Sequence, residues 1–176
     1  MLPNLIRILR VISLTVLSGG SVGVVIAALA SIKSSQANQI PIAQAASANV
    51  PVFINYGKAA LVAAIFLLFL ELLDYLVNQK VDFPRLLRYG SSFSCFLAAL
   101  IFYAVLVPKM SLLLPSILDK QKAAQSAIDL FQQLHNQSRL AVAGIIIFSL
   151  ISIAVPIADE IYKLRKEEAT EEDPST

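Results

Sequence analysis

Four long apolar runs separated by polar segments set the pattern of this chain. The first, Val11–Ile32, is uncharged and bounded by Arg10 and Lys33. As a helix it is about 33 Å long, enough to cross bilayer hydrocarbon. The second has an uninterrupted apolar core only from Ala59 to Leu70. It reaches the roughly 20 residues of a span only by taking in ionisable groups. The window Tyr56–Val77 does this with Lys58 snorkelling at one end and Glu71 and Asp74 towards the other. The third run, Tyr89–Val107, is expected to end at Pro108, and the fourth is Leu140–Ala158, which Pro156 kinks or ends.

The intervening segments differ in character. Lys33–Asn55 is small and polar, with Pro41 and Pro51, and fits either a short surface helix or a mobile loop. Asn78–Arg88 is short, contains Pro84, and makes the second and third spans antiparallel neighbours. Pro108–Ser138 is polar but patterned: Ala124, Ile128, Phe131 and His135 form a helical stripe flanked by Ala127 and Leu134. A helix over about 116–139 is expected there, lying against the membrane or the bundle and running on into the last span. The acidic residues 167–176 read as a solvated, disordered tail. The predicted fold class is all-α: an integral membrane four-helix bundle, one domain over 1–166, with an additional amphipathic interfacial helix before the last span.

Composition supports this class. Of the residues, 57% are apolar and the mean hydropathy is +0.72, above the roughly 45–50% apolar content of soluble domains. A soluble fold of this size has too little interior to bury such an excess. Net charge is +2, and five acids at the C-terminal end (Glu167, Glu168, Glu171, Glu172 and Asp173) leave +7 on the rest. That excess suits anionic lipid headgroups; nucleic acid is not an expected partner, because no basic patch with interleaved aromatics appears. A cleavable signal peptide is disfavoured, since the first apolar run exceeds the usual h-region of about 7–15 residues. Lys and Arg concentrate close to the spans on the side shared by both termini, which predicts cytoplasmic termini. Tyr56, Tyr75, Tyr89 and Tyr162 fall near span ends, as in an interfacial aromatic belt.

The candidate chemistry is sparse. Glu71 and Asp74 are three residues apart and share a helix face. An ionised carboxylate at the centre of a span costs about 3 kcal/mol, so these acids should face the bundle and pair, with Arg10 and Arg88 as partners. The pair fits an ion pair fixing helix register or, as the other reading, an ion or proton route. His135 is the only histidine; its ring is placed to donate to a backbone carbonyl or to Ser138, with proton relay or metal contact, and contact with a lipid headgroup, as the other readings. Gly19, Gly23, Ala27 and Ser31 recur every four residues and predict a smooth face for packing within the chain or for self-association. With one Cys (Cys95), one His and two Met, no disulfide, metal site or cofactor is expected.

The stretch FQQLHNQSRLAVAGIIIFSL, Phe131–Leu150, resembles the signature of the transmembrane protein 205-like family through Phe131, Leu134, His135 and Ser138. VLVPKMSLLL (Val105–Leu114), SGGSVGVV (Ser18–Val25) and VFINYGKAAL (Val52–Leu61) agree more loosely with other parts of that family, and Asn136 stands where the family carries glycine. The resemblance implies a four-helix membrane bundle with an extra polar helix and implies no reaction. There is no nucleophile–base pair or phosphate loop at usable spacing. The sequence therefore predicts a non-enzymatic membrane protein, an accessory, assembly or scaffold component. Its expected partners are membrane lipids and membrane proteins or further copies of itself. The alternative is a small oligomeric transporter or ion-handling protein using Glu71, Asp74 and His135.

Overall fold

The computed structural model describes residues 2–39, 42–79, 81–118 and 125–171, and among these there is no strand. The elements are α1 (Leu2–Ala37), α2 (Ile42–Asn78), α3 (Phe83–Leu100), a π-helical segment (Ile101–Leu106), α4 (Val107–Leu118) and α5 (Gln125–Glu171). The α3, π and α4 segments follow one another without a break. Four helices are thus long and apolar enough to cross a membrane. Going round the bundle, α1 packs on α2, α2 on α3, α3 on α5, and α5 back on α1, while α4 packs on α2 and α5.

A buried seam along each helix explains this arrangement. On α3 and the π segment the seam is Arg88, Ser92, Cys95, Ala99, Phe102 and Leu106. On α5 it is Leu134, Ser138, Val142, Ile145, Ser149 and Ser152. Steps of three and four residues keep one stripe facing the partner helix. The seams are rich in serine and alanine, whereas Ile26, Val62, Ile65, Phe69 and Ile147 point outward. Small residues let helix backbones approach, and the exposed exterior is the apolar one.

Several expectations change. The third helix does not stop at Pro108. The π turn just before it, closed by a bond from Val107 N–H to Phe102 C=O, widens the helix where the proline ring would meet the preceding turn. Helix α2 begins at Ile42 and carries Pro51 inside it, so little of Lys33–Asn55 is loop. Of the polar helix expected over 116–139, Ser116–Leu118 belongs to α4, 119–124 lie outside the described residues, and 125–139 belong to α5, which continues into the last apolar run past Pro156. The buried edge of its first turns is Leu134 and Ser138, and Ile128 is exposed. Ala124 lies outside the described residues. Helix α5 also carries Glu167–Glu171, the start of the expected disordered tail, and the remainder of that tail lies outside the described residues.

The glycine stripe faces outward. Gly19, Gly23 and Ala27 are exposed, and a Cβ added at Gly23 meets nothing within 4 Å. The seam of α1 is instead Ile6, Arg10, Ser13, Leu17 and Ser21. Within α1 the glycine that matters for packing is Gly20, where an added Cβ would lie 2.9 Å from the Tyr56 ring. Tyr56 does not face outward as a belt residue would. It is 8% exposed, and its hydroxyl donates to Leu17 C=O at 3.1 Å and is also hydrogen-bonded to Ser21 Oγ.

Candidate functional site

The charged cluster is built by the α2–α3 connection. Asp82 caps α3, its carboxylate accepting from Arg85 N–H at 3.0 Å, and Pro84 occupies the first turn, where it needs no hydrogen-bond donor. Starting α3 there puts Arg88 on its second turn, opposite the Glu71–Asp74 face of antiparallel α2. Arg88 Nε donates to Glu71 Oε2 at 3.0 Å, and Arg88 Nη2 lies 2.9 Å from the same oxygen. Nη2 also donates to Asp74 Oδ2.

The remaining acceptor positions are filled too. Ser92 Oγ donates to Glu71 Oε1 at 3.1 Å and stands 3.3 Å from Ser152 Oγ, so the acid on α2 is linked through α3 to α5. Tyr89 OH donates to Asp74 Oδ2 at 3.2 Å and Asn78 Nδ2 to Asp74 Oδ1 at 2.9 Å. The Arg88 guanidinium also sits 4.9 Å from the centroid of the Tyr89 ring, which adds a cation–π contact. Glu71 and Arg88 are buried at 4% and 7% exposure. A buried ion pair survives only when the remaining lone pairs and protons are satisfied, and both carboxylates meet that condition.

Arg10 is different. It is 7% exposed and close enough to feel the charges of Glu71, Asp74 and Arg88, but its Nε has no hydrogen-bond partner. It lines a polar cleft of about 300 Å³ at this end of the bundle, together with Arg7, Asp74, Arg88, Asp159 and Lys163. Lys163 is held by Asp159 at 2.5 Å within α5.

His135 belongs to another place. Measured along α5 it is 17 residues from Ser152, or about 26 Å at the helical rise. The structure does not bring it together with Glu71 and Asp74. Its ring stacks on Phe131, with centroids 6.5 Å apart and planes 6° from parallel. The expected bond from His135 to Ser138 is not formed. Ser138 Oγ donates to Leu134 C=O at 2.9 Å and stands 3.1 Å from Met110 Sδ. His135 lines an apolar cavity of about 340 Å³ between α1, α2, α4 and α5.

Sequence reasoning missed Ser92, Tyr89 and Asn78 as partners of the acids, and Ser152 behind Ser92. The signal available was the seam spacing: Arg88, Ser92 and Cys95 share one face at four- and three-residue steps. No group of three or more His, Cys, Asp or Glu side chains placed to hold a metal ion occurs among the described residues. Compared with protein families, curated proteins and solved structures, the chain finds no match.

Proposed function

We propose that this is a non-enzymatic, multi-pass membrane protein that serves as an accessory, assembly or scaffold component of a membrane complex, with both termini in the cytoplasm. The observation that carries the reading is the use of its intramembrane charges. Glu71 and Asp74 spend their acceptor capacity on Arg88, Ser92 and Tyr89, which tie α2 to α3 and, through Ser152, to α5, and on Asn78 within α2. An intramembrane acid is a functional candidate by default. Here its full set of partners favours a register-fixing role. The resemblance of Phe131–Leu150 to the transmembrane protein 205-like family points to the same architecture without adding a reaction.

The test is the native mass of the full-length protein in mild detergent, with every co-migrating protein identified. Co-migration with one large complex at fixed stoichiometry is the expected result. A small homo-oligomer without partners contradicts it.

A second reading, an oligomeric ion-handling protein, is favoured by Arg10, whose buried unpartnered Nε borders the polar cleft beside the acids. In that reading Glu71 and Asp74 work without His135, which lies elsewhere. Loss of flux in liposomes for a folded Glu71→Gln variant supports this second reading, and unchanged flux rejects it.

A further inference from the structure

The cavity beside His135 is unlike the charged end of the bundle. Its walls come from Val25, Leu29, Phe53, Ile54, Val142 and Ile146, with Phe102 and Val107 deeper in. At about 340 Å³ it exceeds the roughly 150 Å³ of engineered apolar cavities that stay dry and bind benzene. It also falls within the roughly 300–1,000 Å³ of small-molecule sites. Water gains little in such walls, so the occupant that suits them is hydrocarbon.

One edge of the cavity is polar. Ser111 and Ser138 line it, but their hydroxyls already donate to Val107 C=O and Leu134 C=O. Two donors remain among the described residues: Arg139 has no hydrogen bond or ion pair there, and His135 stacks on Phe131 and lies close enough to Arg139 to feel its charge, without a hydrogen bond. Among the described residues no Asp or Glu lines the cavity, and Arg139 is the one charged residue in its lining. The combination is an apolar chamber with an uncommitted cation at one edge, immediately before the last apolar run begins.

We propose that this cavity binds an amphiphile with one hydrocarbon chain in the chamber and an anionic oxygen head at Arg139. Guanidinium suits such a head because its fork of donors matches carboxylate and phosphate oxygens. The imidazole of His135 is placed on the same edge to contact the head. A free fatty acid and a lipid of the surrounding membrane share this chemistry.

The test uses the full-length protein in nanodiscs of neutral phosphatidylcholine. The probe is dansyl-labelled undecanoic acid, with its uncharged methyl ester as control. Saturable binding of the acid is expected. Arg139→Gln, at an exposed position, should weaken the acid about tenfold, the scale of one charge-assisted contact, and leave the ester unchanged. Ala28→Phe, which fills the chamber from α1, should remove saturable binding of both. If that variant does not fold, Ala143→Leu fills it from an exposed position of α5.

Native mass spectrometry of the protein as purified separates the sources. A retained lipid that the probe displaces assigns the site to membrane lipid, and saturable binding to an initially empty protein assigns it to a free amphiphile. Absence of a saturable component, or acid binding unchanged by Arg139→Gln, overturns the proposal.

Discussion

The two ends of this bundle treat polar residues in opposite ways. At one end, Glu71, Asp74 and Arg88 saturate one another, Glu71 and Arg88 buried and Asp74 half-buried, with Ser92, Tyr89 and Asn78 completing the acids' shells and Arg10 beside them as the exception. At the other, His135 and Arg139 border an apolar hollow and hold no hydrogen-bond partner among the described residues. By sequence the first end is the more conspicuous, because acids inside an apolar run are costly. By geometry it is the better explained as structure. A complete set of partners marks a joint between helices, whereas donors left over beside a cavity mark a place for something else to bind.

The largest expected effect breaks the joint. Arg88→Met strands two carboxylates, one of them buried, and should cost about 3–5 kcal/mol, the penalty for removing one partner of a buried pair. The check is protein yield and thermal unfolding in detergent, and a variant with wild-type Tm would refute the structural account. Next comes Gly20→Ala, whose added Cβ would stand 2.9 Å from the Tyr56 ring and should cost about 1–3 kcal/mol by overpacking. Gly23→Ala on the open face should stay within about 0.5 kcal/mol. Equal losses in the two would mean that the outward stripe is an intrachain contact after all. A smaller effect, about 1 kcal/mol, is expected for Tyr56→Phe, which removes the hydroxyl bound to Leu17 C=O and Ser21. The smallest is His135→Ala, which should shift unfolding by no more than about 0.5 kcal/mol, since the ring makes no hydrogen bond. A large loss there would erase the contrast between the two ends.

Hydropathy was enough to locate the four long helices, because a run of that length and apolarity has few soluble alternatives. The pairing of Glu71 with Arg88 was legible as well: three-residue spacing and a short connection place both on facing surfaces. The rotation of α1 was not. Gly19, Gly23 and Ala27 form the most regular small stripe, but Arg10, Ser13 and Ser21 are the residues that lipid would exclude, and they turn the helix so that the glycines face out. The course of the third helix was hidden by Pro108, whose usual effect is absorbed by a π turn that leaves no obvious signature in the sequence. Tyr56 misled by position, since a tyrosine near the end of an apolar run resembles a belt residue whether or not a neighbouring helix offers a carbonyl to its hydroxyl. The hollow beside His135 was illegible because it is framed by five segments, and no local pattern encodes the space between them.

The central claim is that the buried acid and Arg88 act as one structural unit. A double-mutant cycle of Glu71→Gln and Arg88→Gln, followed by reversible unfolding in detergent, measures that coupling directly. The account predicts that each single variant is strongly destabilised and that the double variant loses less than their sum, by roughly 2 kcal/mol or more. Losses that simply add, or single variants as stable as the wild type, would contradict it.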